Sequence, residues 1–232
     1  MKARERVRAV VLFCAVCLGS RGLGQSFSVD LDFAGSSEEV GGGVPGAGFP
    51  GPADVPSVWN SVSPFTWDPV PLFDINGIKT DVQIVMSGSG GALGFNNSSI
   101  SGDHKLLMAD AEQVSDLLAY TFTGLRPGAY RVFTLALHPS GQFASTTINV
   151  LGSTNGPETV RGSLSGNFFR HLETHAVHDV IVTDGSLRIE ARGAWPTSCI
   201  NGFQVSEVVP EPTSISALSL ALLFFLRRSR KM

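Results

Sequence analysis

Cysteine is nearly missing from this chain: there are three in 232 residues, and two of them, Cys14 and Cys17, fall inside the first apolar stretch. Once that stretch is removed on export, Cys199 stands alone, no intrachain disulfide can form, and the body must hold by packing. Positive charge is just as scarce in the middle. Between Gln25 and Glu211 eight Lys and Arg face nineteen Asp and Glu, a net of −11, although the whole chain carries only −3. Such a body repels phosphate backbones, which excludes nucleic acid as a partner, whereas divalent cations are attracted. No apolar run reaches the roughly 18 residues that mark a self-evident spanning helix. A helical body is excluded too, because 26 Gly and 13 Pro puncture almost every window. No internal repeat is visible, which removes propellers and solenoids.

What is present begins with an export signal. Basic Lys2, Arg4, Arg6 and Arg8 precede an apolar stretch from Ala9 to Leu18 and the small residues Gly19 and Ser20, the order of a cleavable leader. Cleavage is expected near Ser20 or Gly24. The Cys14-x-x-Cys17 pair leaves with the leader and is therefore not read as a redox or zinc motif.

The other end is VPEPTSISALSLALLFFLRRSRKM. Residues 214–226 carry no charge, and as a helix they would rise about 20 Å against a hydrocarbon core of about 30 Å. Snorkelling Arg227 and Arg228 extend that reach. Arg227, Arg228, Arg230 and Lys231 fix the orientation, because basic clusters stay on the cytoplasmic side. Pro210 and Pro212 stop any helix from running back into the body. They leave Pro-Glu-Pro extended just outside the membrane.

The order Val209-Pro210-Glu211-Pro212, apolar segment, Arg-rich end resembles the PEP-CTERM sorting signal of bacteria that make exopolysaccharide. The resemblance covers the last 24 residues. It implies that an exosortase-like sorting protease of the inner membrane recognises Pro210, Glu211 and Pro212. It further implies that residues 214–226 anchor as a hydrophobic helix, that Arg227 to Lys231 form the membrane stop, and that the protein reaches the cell surface or extracellular matrix.

Four parts follow: a signal peptide at 1–24, a flexible Gly/Pro-rich segment with a first strand at 25–57, a β-sandwich at 58–208, and the sorting and anchor segment at 209–232. In the sandwich, Asn76-Gly77 sits between two apolar stretches as a hairpin turn. After it Ile78, Thr80, Val82, Ile84 and Met86 alternate with Lys79, Asp81 and Gln83, one side inward and one wet. Arg126-Pro127-Gly128 makes a second turn, and the apolar run from Arg131 to Leu137 reads as a central strand. Further strands are expected at ASTTINVLG, AVHDVIVTDG, SLRIEARG and CINGFQVSEV, with one short helix within HKLLMADAEQVSDLLAY. Strands about ten residues apart, joined by Gly, Asp, Asn and Ser, predict an all-β fold: a single antiparallel β-sandwich. The order of hairpin, GLRPGAYRV and closing INGFQV also looks like the jelly-roll sandwiches of PEP-CTERM proteins and, more distantly, galactose-binding-like modules.

Candidate chemistry is thin. GSGGALG, residues 88–94, lacks the following helix that a phosphate loop needs and is read as a plain loop. GSLSG has Leu164 where a nucleophile elbow has serine. His171, Glu173 and His175 would share one face of a strand within reach of a cation, but HLETH is not HExxH and an exposed polar segment explains it. Asp74, Asn76 and Asp81 lack calcium-loop spacing. Trp59, Trp67 and Trp195 lie in Pro-punctuated loop regions and could stack on a sugar; large aromatics also fill cores. No cofactor and no enzymatic activity are expected. The reading is an exported surface or matrix protein, structural or adhesive, and the alternative is a carbohydrate-binding module acting on polysaccharide.

Overall fold

Alternation of apolar and polar residues builds two sheets in the computed structural model, which describes residues 27–33, 43–63, 67–163, 165–193 and 198–208. The expected signal peptide (1–24), the expected sorting motif Pro210, Glu211 and Pro212, and the expected anchor at 214–226 lie outside these residues. Sheet A runs in the order β2 (Trp59–Ser61), β1 (Ser28–Asp32), β12 (Gly202–Glu207), β6 (Gly128–Leu135), β9 (His175–Val182). Sheet B runs β3 (Val70–Phe73), β4 (Lys79–Gly94), β5 (Asp110–Thr123), β10 (Leu187–Arg192), β7 (Ala144–Val150), β8 (Glu158–Gly162), and β11 (Cys199–Ile200) adds to β5. Every pairing is antiparallel except β1 with β2. A short helix, α1 (Gly102–Met108), interrupts the path from β4 to β5.

The inward faces of the sheets share one core. Val29, Leu31, Val132 and Val205 of sheet A are buried with Ile84, Leu118, Phe122 and Ile189 of sheet B. Rings lock the two layers together: Phe203 of β12 meets Tyr120 of β5 edge-on at 4.7 Å and Phe122 at 5.8 Å. This is the sandwich that the strand spacing predicts. Val82, Ile84 and Met86 are buried while Lys79, Asp81 and Gln83 are exposed, as the alternation requires. Ile78 departs from it: it ends the five-residue hairpin loop and is 63% exposed. In that loop Asp74 Oδ1 accepts the backbone N–H groups of Asn76 and Ile78, each at 2.9 Å, and Gly77 takes φ 76°. The turn chemistry accounts for Asp74 and Asn76 without calcium.

Two expectations change. GSGGALG is no loop but the second half of β4, paired with β5 from Gly88 to Gly94. Gly88 has φ 118° at a register shift, and a Cβ there would run into the Leu117 carbonyl, so the run is glycine-rich because the partner strand comes too close for side chains. The Gly/Pro-rich segment, expected to be a flexible exposed loop, roofs the outer face of sheet A from residue 43 onward. Ala53 N–H donates to Gln204 Oε1 at 2.9 Å, Gln204 Nε2 donates to the Pro50 carbonyl at 3.0 Å, and Trp59 Nε1 donates to the Phe49 carbonyl at 2.9 Å. Under this roof all five residues of β1 are buried on both faces. The unit Phe27–Val208 is compact, so the folded body begins with β1 and not at residue 58. Among the described residues no helix is long and apolar enough to cross a membrane.

Phe203 carries the contact between sheets, so Phe203→Ala should cost about 3–5 kcal/mol. Denaturant melts should show a lower midpoint with an unchanged slope; an unchanged midpoint would mean that the rings do not join the layers.

Candidate functional site

At one end of the sandwich the loops after β1, β4, β6 and β8 come together. α1 is their common support. Asp103 Oδ1, in its first turn, accepts the Gly46 N–H at 2.7 Å. Asn167 clasps Ser101 from the other side, accepting from its N–H at 3.0 Å and donating to its carbonyl at 3.2 Å. Asn97 Nδ2 donates to the Pro139 carbonyl at 3.2 Å. Side-chain amides thus join loops that are distant in sequence.

An aromatic seam runs through this end. Trp59 meets Phe49 at 6.1 Å, Phe49 meets His104 at 5.0 Å, His104 stacks on Phe169 at 4.8 Å, and Phe169 reaches His175 at 6.4 Å. Beneath it lies a second apolar cluster that includes Leu107, Met108, Leu135 and Leu137. Beyond the seam two rings face outward: Phe95, 41% exposed, and Phe143, 59% exposed. Phe95 lies against the turn after His138, whose ring is 5.5 Å from its own and whose Nδ1 bonds the Ser140 hydroxyl at 2.7 Å, and Phe143 follows that turn along the chain. Asn96 and Gln142 are exposed beside them.

Among the described residues the Trp candidates do not form a platform. Trp59 is 5% exposed and belongs to the roof, so it is corrected to a packing residue. Trp67 is half exposed ahead of β3, and Trp195 lies outside the described residues. The outward Phe95 and Phe143 escaped the sequence reading because an isolated Phe carries no positional signal. A cleft of about 310 Å³ between β2 and β3 is lined by Trp59, Leu72 and Phe73. The Asn60 amide in it is already committed to Asp30 and Phe73.

His171, Glu173 and His175 do not share a strand face. His171 makes only a single bridge to His175, residues 172–174 turn, and Leu172 takes φ 63°. Glu173 faces Arg170 at 3.4 Å, whereas His171 Nε2 bonds Glu158 Oε2 at 2.9 Å. Glu158 also accepts from Val177 N–H and Asn155 Nδ2, and despite its burial these bonds hold its carboxyl below the usual range. His175 is driven down to about 4 by burial and by the nearby His171, against the pull of Glu158. Among the described residues no group of three His, Cys, Asp or Glu side chains is placed to hold a metal. Cys199 is fully buried and burial raises its thiol out of the reactive range, which makes it a packing residue.

No protein-family model matches the chain, and no curated protein matches it. Among solved structures it is similar to a chain of the plant peptide RALF23 complex with FER and LLG2, at 14% identity and TM-score 0.37, covering 80% of this chain and 42% of that one. It is similar to a Podospora anserina GH26-CBM35 β-(1,4)-mannanase at 13% identity and TM-score 0.35, covering 56% and 29%. A CBM35 from Cellvibrio japonicus Abf62 gives 11% identity and TM-score 0.28, covering 54% and 92%. The chain thus spans less than half the length of the first two. TM-scores this low carry neither fold nor function over to it.

The depressed His175 sets a pH dependence. The unfolded chain takes up its proton near 6.5 and the folded one only near 4, so the stability contributed above pH 6.5 is lost as pH falls through 4. The midpoint of thermal melts should fall over that window, and His175→Gln should flatten the fall; an equal fall in the variant would assign it to other groups.

Proposed function

We propose that this chain is an exported, non-catalytic sandwich that binds polysaccharide at its loop end and is held at the cell surface or in the matrix by its C-terminal segment. The observation that carries the binding reading is the exposure of Phe95, which lies against the His138 turn, and of Phe143, which follows that turn in the chain, each next to an amide residue in sequence. Aromatic faces pack against the apolar C–H side of a pyranose, and amides serve its hydroxyls. The loop end supports this use because α1 and its side-chain clasps hold the loops in place before any ligand arrives, which lowers the entropy cost of binding. The acidic body favours neutral glycans over anionic ones.

Delivery belongs to the two ends. The basic-apolar-small leader takes the chain across the inner membrane, Pro210, Glu211 and Pro212 form the element read by an exosortase-like protease, residues 214–226 enter the bilayer, and Arg227, Arg228, Arg230 and Lys231 remain on the cytoplasmic side. In finer terms the sandwich is of the jelly-roll kind. A structural or adhesive role without sugar recognition is the second reading, and it is favoured by the thinness of the polar inventory around the two rings.

Affinity electrophoresis through gels containing neutral polysaccharides separates the two. Retardation by at least one glycan, weakened about tenfold in Phe95→Ala/Phe143→Ala and unchanged in Trp67→Ala, is expected. No retardation in any gel would leave the structural role. For sorting, replacing Pro210, Glu211 and Pro212 by Ala should leave unprocessed precursor in the inner membrane; normal processing of that variant would remove the sorting reading.

A further inference from the structure

Among the described residues nothing covers the outer face of β10, β7 and β8 as the roof covers sheet A. Buried and partly exposed residues alternate along these strands: Leu187, Ile189 and Ala191 enter the core, and Arg188, Glu190 and Arg192 point outward. On β7 the outward positions are Ser145, Thr147 and Asn149, and on β8 they include Thr159 and Arg161. The ladder register sets these in rows: Glu190 beside Asn149, Arg192 beside Thr147 and then Thr159, and Ser145 beside Arg161. The Thr147 and Thr159 hydroxyls bond one another at 3.0 Å.

This face gathers positive charge that the rest of the body lacks. It carries three of the eight basic residues between Gln25 and Glu211, and one of the nineteen acidic ones. Glu190 is shared: Arg188 Nε donates to its Oε1 at 3.1 Å, and a terminal nitrogen of Arg192 stands 3.9 Å from its Oε2. One carboxylate therefore serves two guanidiniums, both still about half exposed. Arg161 is exposed and makes no ion pair among the described residues. Two positive charges are left over, on planar N–H forks that match a carboxylate. Four residues along one strand separate the Arg188 and Arg192 backbones by about 13 Å, and Arg161 lies two strands over, about 10 Å to the side.

We propose that the outer face of β10, β7 and β8 is a second binding surface, apart from the loop end, and that it takes a polysaccharide bearing carboxylates, a chain of uronic acids. The three arginines meet the carboxylates, and the Thr147, Thr159 and Asn149 side chains between them serve the sugar hydroxyls. A protein partner fits less well, because interface cores rest on aromatic and apolar anchors and are depleted of charge. The outward positions of these three strands hold no apolar residue. At about 0.15 M salt the Debye length is about 8 Å, so the acidic groups elsewhere on the body are largely screened from a ligand lying here.

The full-length chain in nonionic detergent is passed over immobilised polygalacturonate at about 0.15 M NaCl, with the fully methyl-esterified polymer and dextran sulfate as comparison surfaces. Saturable binding to polygalacturonate and none to the esterified polymer is expected. Arg161→Gln/Arg188→Gln/Arg192→Gln should weaken it about tenfold or more. Should that variant fail to fold, Arg161→Gln and Arg192→Gln taken singly should each weaken it about threefold. Arg131→Gln/Arg170→Gln, which removes charge away from the face, should bind as the wild type does. So should Phe95→Ala/Phe143→Ala, which means that this surface and the loop end fail separately. No binding by the wild type, equal binding to the esterified polymer, full binding by the arginine variants, loss in either control pair, or binding to dextran sulfate alone would overturn the assignment. Self-association of the chain that is lost in the triple variant would overturn it too, by giving the face to a second copy.

Discussion

Asn201 sits where the chain leaves β11 of one sheet for β12 of the other, and the loop end of the molecule depends on the hydrogen bonds it makes there. Its N–H donates to the Leu135 carbonyl at 2.9 Å and its carbonyl accepts from Phe33. Its side chain repeats the pattern of a peptide group, accepting the Leu137 N–H at 2.7 Å and donating to Asp110. Four segments therefore meet on one buried residue: the end of β1, the entrance of β5, the exit of β6 and the start of β12. A side chain without both donor and acceptor would leave buried backbone groups unpaired, each costing about 1–3 kcal/mol. The exit of β6 leads directly into the His138 turn, against which Phe95 lies and which Phe143 follows, so the placement of the outward rings traces back to this crossover.

A second constraint follows from the outer face of sheet A. β1 and the end of β6, Thr134 and Leu135, are buried, and a sheet buried on both faces needs two covers. Sheet B supplies one. The other is assembled from the segment after residue 43, α1 and the loop before β9, each too short and too rich in glycine or polar residues to fold alone. Their aromatic residues, Phe49, Trp59, His104 and Phe169, supply the cover. Trp59 is accordingly spent on packing, with its Nε1 satisfied by the Phe49 carbonyl.

These constraints also explain how much was legible in the sequence. Where one face is wet, period-two alternation reads directly, as in the first half of β4 and in β10, where Leu187, Ile189 and Ala191 are buried and Arg188 and Arg192 are not. Turn chemistry located the hairpin at Asn76-Gly77 and the return at Pro127-Gly128. The second half of β4 was illegible because glycine has no side chain to alternate. β8 was illegible because Glu158, Thr159 and Arg161 mix polar and apolar roles, Glu158 turning inward to bind His171 and the start of β9. The turn that separates His171 from His175 was illegible because Leu172 adopts a left-handed conformation that no local pattern announces.

Asp30 and Asp32 show the limit of pattern reading most sharply. In SVDLD both aspartates fall on the polar side of an alternating strand, and alternation alone places both in water. The roof buries both, and from there their environments diverge through the residue opposite. Gln204 answers Asp30 with a side-chain amide. Gly202 answers Asp32 with nothing, because the strand that turns over at Asn201 passes too close to the Leu31 carbonyl for any side chain. The tight crossover that joins the sheets is thus the same feature that deprives Asp32 of a donor, and burial there raises its carboxyl well above the usual carboxylate range.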